Sequence, residues 1–174
     1  MGNPFSQLTS NQKPLYLMIG LDAAGKTTIL QKLKLGTVES QTPTIGFNIE
    51  KIQSKKFDII SWDIGGADKL RITMKPYFQD SKGIIYVIDC FDKERMDDAK
   101  HQLQKILLDS LLIGQPLLVY ANKQDLVKMN SIELAIELMI QNLSKNWHIQ
   151  PCCAITGEGL QDGLNWIQKQ LLLK

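Results

Sequence analysis

Gly20 to Thr27 reads GLDAAGKT: a glycine, four residues, a second glycine, a lysine and then a hydroxyl side chain. This spacing suits a polyphosphate. Gly25 permits a backbone conformation that aims successive N–H groups at phosphate oxygens, Lys26 neutralises the outer phosphates, and Thr27 offers a hydroxyl to Mg²⁺. A helix beginning at that point adds the positive end of its dipole. The competing reading is an incidental strand-to-helix turn. The apolar run LYLMIG before the loop and the helical spacing after it weigh against that.

A phosphate loop does not separate adenine from guanine, so a base-reading segment is needed. Asn122 to Asp125, NKQD, directly follows the apolar run PLLVYA and so falls at a strand's carboxyl end. There Asp125 would accept two hydrogen bonds from the N1 and 2-amino edge of guanine, which adenine cannot supply. A buried carboxylate left unpaired rejects the wrong base strongly. Alone, NKQD is a polar loop; behind a strand and downstream of a phosphate loop it reads as guanine recognition. Asp63 to Gly66, DIGG, closes the run FDIISW. An aspartate there holds Mg²⁺ directly or through a water, and the Gly66 N–H can meet the terminal phosphate, the alternative being a structural turn. Thr44, in PTIGFN, sits where a further Mg²⁺ ligand would be needed.

These residues must be positioned by the elements between them. LYLMIG from Leu15 is a buried strand by its short apolar run, and Thr27 to Leu35 has helical spacing. FNIEKIQ from Phe47 and FDIISWD from Phe57 form an antiparallel hairpin with Lys55 and Lys56 at its solvated tip. GIIYVID, PLLVYAN and HIQPCCA are three further strands. Met96 to Leu112 and Ile132 to Leu143 are helical patterns between them, and Leu160, Leu164, Ile167 and Leu171 mark a last helix. Such alternation predicts an α/β domain: a mostly parallel six-stranded sheet, helices on both faces and the ligand at the strands' carboxyl ends.

The 174 residues, 44% hydrophobic and 22% charged, fit one globular domain. The expected division is an N-terminal segment over 1–14 and a nucleotide-binding domain over 15–174. A net charge of +2 without a run of like charges gives no motive for a nucleic-acid partner. Cys90, Cys152 and Cys153 lack zinc spacing and fit a reducing compartment. No run approaches the roughly 18 apolar residues that span a bilayer, so the expected location is cytoplasmic or peripheral. His101 and His148 read as ordinary helix-face and strand residues.

GLDAAGKTT, PTIGFN, WDIGG, NKQD and GEGL, in that order, resemble the Arf (ADP-ribosylation factor) family of small GTPases over nearly the whole chain. The resemblance implies a P-loop small GTPase fold binding GTP or GDP with Mg²⁺. Gly20, Asp22, Ala23, Ala24, Gly25, Lys26, Thr27 and Thr28 would cradle the phosphates, with Thr27, Thr44 and Asp63 on the metal side. Lys26, Thr44, Gly66 and position 67 would act in hydrolysis. Asn122, Lys123, Asp125, Cys153 and Ala154 would read guanine, Ala154 through its N–H. Phe47, Trp62 and Tyr77 match the aromatic trio on which Arf-family effectors dock, although three aromatics in an α/β domain also suit a core. Exchange factors, GTPase-activating proteins and effectors are the implied partners, and endomembranes, the Golgi among them, the implied location.

Three positions depart from the family pattern. Ala67 stands where DxGGQ has the glutamine that orients the attacking water, and a methyl group makes no hydrogen bond, so slow hydrolysis is expected. Ile155 replaces the usual threonine after Ala154. MGNPFS fits the myristoylation pattern at Gly2, but Phe5 and Leu8 are the main apolar helix-face candidates. One acyl chain with so short a helix predicts weak, reversible membrane binding. The expected function is a GDP/GTP-regulated switch in membrane traffic. The rival is a GTP-binding interaction module without useful catalysis; a P-loop kinase or ATPase is disfavoured by NKQD.

Overall fold

The structure, a computed structural model, describes residues 13–33, 38–41, 49–63 and 69–173. The strands are β1 (Leu15–Gly20), β2 (Val38–Gln41), β3 (Ile49–Gln53), β4 (Asp58–Asp63), β5 (Ser81–Asp89), β6 (Leu117–Asn122) and β7 (Trp147–Pro151). The helices are α1 (Lys26–Leu33), α2 (Lys69–Asp80), α3 (Met96–Leu107), α4 (Ser131–Leu138) and α5 (Leu160–Leu172). One sheet runs β2-β3-β4-β1-β5-β6-β7. From β4 through β7 the pairs are parallel, while β2-β3 and β3-β4 are antiparallel.

All six expected strands are present, and β2 adds a seventh at the antiparallel edge. Parallel strands buried on both faces must be apolar at successive positions, because side chains alternate between the faces. In β1, Leu17 and Ile19 enter a cluster with Met74, Phe78, Met96, Leu103 and Leu134, from α2, α3 and α4. Tyr16 and Met18 face the opposite cluster, with Ile29, Leu30, Leu160, Leu164 and Ile167 from α1 and α5. The helices therefore cover both faces, as the alternation implied.

α2 had no clear signal in the sequence. Pro76 lies inside it and removes a helical N–H, and its buried face rests on Met74 and Phe78. α3 ends at Leu107, earlier than its periodicity suggested. Asp109 then organises a turn, its carboxylate accepting the Leu111 N–H at 3.0 Å and its carbonyl the Leu112 N–H at 2.9 Å. α4 opens on Asn130, whose side chain caps the Ile132 N–H, and stops at Met139, left-handed at φ 55°. At the β3-β4 hairpin, Lys55 and Lys56 are exposed and Ser54 Oγ accepts the Phe57 N–H at 3.0 Å.

α5 seats on β6 by close approach. A Cβ on Gly163 would lie 2.6 Å from Tyr120 Cε1, and the Tyr120 hydroxyl donates to the Leu160 carbonyl at 2.5 Å. β1 leads to α1 on one face and the neighbouring β5 leads to α3 on the other, so the chain diverges above the β1/β5 junction. Such a divergence opens a crevice at the carboxyl ends of the strands.

Candidate nucleotide site

The GLDAAGKT segment leaves β1 in that crevice and enters α1 at Lys26. Gly20 must be glycine for packing: a Cβ there would stand 2.4 Å from the Val87 carbonyl oxygen on β5. Ala23 and Gly25 have φ of 59° and 102°, so the loop alternates handedness and turns backbone N–H groups inward, the arrangement that binds anions. Lys26 is 4% exposed, and its ammonium donates back to the Gly20 and Leu21 carbonyls at 2.8 and 2.6 Å. The lysine thus shapes the loop from within and places its charge beneath it.

Thr27 Oγ1 donates to the Glu50 carboxylate at 3.1 and 3.0 Å. Its lone pairs stay available while the proton goes to Glu50, so the pair offers a hard divalent cation oxygen donors of the right kind. Glu50 had no motif to signal it; only the pairing of β3 with β4 brings it to the P loop.

NKQD emerges from β6 beside this loop. Asn122, 1% exposed, donates its amide to the Ala24 carbonyl at 2.9 Å and accepts the Ala154 N–H at 2.9 Å. One side chain thereby joins the phosphate loop, the NKQD loop and the loop after β7. Gly25 makes room for it: a Cβ there would stand 2.3 Å from Asn122 Nδ2. Lys123, at φ 65°, pairs with Asp89 at 2.6 Å, and Asp89 also accepts the Phe91 N–H. Gln124 is buried and serves the loop itself, donating to the Ala121 carbonyl and accepting the Met129 N–H, each at 3.2 Å.

Asp125 is exposed, so the buried carboxylate expected from the sequence is not what the structure shows. Its desolvation would have to come from the base that covers it. The Cys153 thiol donates to Asp125 Oδ1 at 3.3 Å and aims that carboxylate. The Ala154 N–H, expected to meet the guanine oxygen, is committed to Asn122, so a bound base would share or take it. Ile155 is 71% exposed.

Asp22, Ala23 and Thr28 are exposed, Ala24 is buried, and all lie on the P loop or the first turn of α1. Asp63 closes β4 beside Gly20, its partner in the parallel register. Gly2, Thr44, Phe47, Gly66 and Ala67 lie outside the described residues. Of the remaining aromatic pair, Trp62 is core: it is 4% exposed and stacks on Phe78 with ring centroids 6.0 Å apart. Tyr77 is half-buried against the same cluster.

Another group reaches the P loop from the side. Arg95, just before α3, donates Nε to Asp92 at 2.7 Å, Nη1 to Asp22 Oδ1 at 2.9 Å and Nη2 to the Asp22 carbonyl at 3.4 Å. Hydrogen bonding to Arg95 holds the Asp92 carboxyl below its usual range, and the same bond raises the guanidinium. Three free cysteines flank NKQD: the thiols of Cys90, Cys152 and Cys153 touch Gln124, Asn122 and Asp125 respectively. Burial, with Asp89 nearby, pushes Cys90 up to about 12, and burial also raises Cys152.

A P loop at the β1/β5 divergence, tied through a buried asparagine to a second loop at the end of β6, defines a P-loop nucleotide-binding α/β domain. The family model described as the ADP-ribosylation factor family matches residues 1–171, and the chain belongs to that family. It is a small GTPase of membrane traffic, from a family that binds guanine nucleotide and works with exchange factors, activating proteins and effectors. Among the described residues, no helix is long and apolar enough to cross a membrane.

Proposed function

We propose that this chain is a GDP/GTP-regulated switch whose nucleotide lies across the P loop, with guanine against Asp125 and the outer phosphates over Lys26. The supporting observation is the Asn122 bridge, which couples phosphate cradle and base-reading loops into one unit. Thr27 is a Mg²⁺ ligand in this reading, with Asp63 and Thr44 completing that side. Mg²⁺ bound there neutralises phosphate charge. Lys123 flanks the nucleotide with its stem, held by Asp89. Exchange, effector binding and membrane attachment through an acylated Gly2 complete the cycle.

Base choice is tested by comparing GDP, ADP and XDP binding to the wild-type chain and Asp125→Asn. The carboxylate accepts two donors from guanine, whereas an amide presents a donor to the 2-oxo group of xanthine. GDP preference in the wild type, lost toward XDP in Asp125→Asn, is expected; equal GDP and ADP binding by the wild type rejects the reading.

Hydrolysis is slow in this proposal because Ala67 supplies no hydrogen bond to the attacking water. The same substitution favours a second reading, a GTP-binding platform without useful catalysis. Single-turnover hydrolysis by the chain and by Ala67→Gln, with and without an Arf-type activating domain, separates the two. If only Ala67→Gln turns over, the platform reading stands; if the unmodified chain also hydrolyses GTP once activated, the switch reading stands.

A further inference from the structure

The Arg95 clamp joins parts of the chain 73 residues apart. Asp22 is the third residue of the phosphate loop, and its carboxylate is a fixed negative charge beside a site for phosphates. A single exposed ion pair contributes little, but here one guanidinium engages two carboxylates and a main-chain carbonyl. Its fork suits such a task, and a lysine ammonium would not reproduce it. Lys26 holds the Gly20 and Leu21 carbonyls from inside the loop, while Arg95 holds the next residue, Asp22, from outside by side chain and backbone.

Asp92 keeps the arginine in place. It accepts Arg95 Nε and also the Arg95 backbone N–H at 3.2 Å, so guanidinium and main chain are fixed by one carboxylate. The outcome is a P-loop acid held against a cation anchored at the start of α3.

We propose that Arg95 is a positioning residue that sets how the site ranks triphosphate against diphosphate, by neutralising Asp22 and holding it aside from the terminal phosphate. This rests on the proposed nucleotide site. Without Arg95, Asp22 is an uncompensated anion, and its repulsion falls hardest on the ligand carrying the additional phosphate. Loss of loop shape alone would weaken both nucleotides alike.

The test measures GDP and GTPγS dissociation constants, with Mg²⁺, for the full chain, Arg95→Ala, Asp22→Asn and the double variant. Arg95→Ala is expected to weaken GTPγS by about five- to tenfold and GDP by about twofold or less, with less difference as salt rises. Asp22→Asn shifts the ratio the other way, toward GTPγS, and in the double variant it removes most of the Arg95→Ala effect. Equal weakening of both nucleotides, or no rescue by Asp22→Asn, overturns the proposal. If Arg95→Ala does not fold, Asp22→Asn alone decides, and an unchanged ratio there rejects it. Failure of the wild type to bind either nucleotide instead rejects the nucleotide site itself, so the two failures are distinguishable.

Discussion

Asn122 donates its side-chain amide to the main-chain carbonyl of Ala24, 98 residues earlier, at 2.9 Å. The bond is buried, and the other end of the same amide accepts from Ala154. A contact of this sequence separation fixes the distance between the phosphate cradle and the base-reading segment.

Asn122→Ala leaves the Ala24 carbonyl and the Ala154 N–H without this partner. A loss of about 2 to 6 kcal/mol in unfolding free energy is expected, from two buried groups at about 1 to 3 kcal/mol each. Urea denaturation measures it, and GDP release should quicken in parallel. A change under about 0.5 kcal/mol would show that the bridge is incidental.

Gly25→Ala faces both a backbone and a packing obstacle. Its φ of 102° is unfavourable for an L side chain, and the new Cβ would press on Asn122. A strain of about 1 to 3 kcal/mol is expected, concentrated in the loop. GDP affinity should fall at least about tenfold while the far-ultraviolet circular dichroism spectrum is retained. Undiminished affinity would mean that the loop tolerates another path.

Tyr16→Phe should stabilise the protein or leave it unchanged. Among the described residues the buried Tyr16 hydroxyl has no hydrogen-bond partner, while its ring packs edge-to-face on Phe57 at 5.6 Å. Removing the oxygen keeps the ring contact and ends the desolvation penalty, a gain of up to about 1 kcal/mol. A loss above that amount in thermal or urea unfolding would contradict the orphan status of the hydroxyl.

The buried thiols predict an alkaline loss of stability. Cys90 ionises near 9 when unfolded and near 12 when folded, so below pH 9 both states keep the proton and nothing changes. Above it the unfolded chain releases a proton that the folded chain retains. Stability therefore falls by about 1.4 kcal/mol per pH unit from this group between those values. Burial raises Tyr16, Tyr86 and Tyr120 as well, so pH 9 to 10 is the window for comparing wild type with Cys90→Ala. The variant should show the shallower slope there. In the native state at pH 8, Cys90 and Cys152 should resist a thiol reagent that labels both in urea.

The phosphate loop and the NKQD segment were legible because each joins an apolar strand to residues with a spacing that only a ligand explains. Strand order could not be read the same way. Arg95 meets Asp22 only because β1 lies beside β5, and Glu50 meets Thr27 only through the pairing of β3 with β4. Nothing local in KERM or NIEKI announces either contact. α2 was hidden by Pro76, which breaks the hydrogen-bond pattern without ending the helix. Trp62 read as a docking aromatic by resemblance and more often as core by residue type; it is buried and stacks on Phe78. Asp125 read as buried because a charge that selects a base must be desolvated; the ligand was left out of that reasoning.

The fit of Tyr120 against Gly163 has a consequence for how this chain can diverge. The two positions form a single lock: the bulk of one requires the lack of bulk in the other, and the tyrosine hydroxyl is satisfied only by the helix turn that the glycine admits. Drift at either position alone would lift α5 from the sheet or strand a buried hydroxyl. Substitutions there should therefore survive in pairs, with a side chain gained at 163 accompanied by a smaller residue at 120.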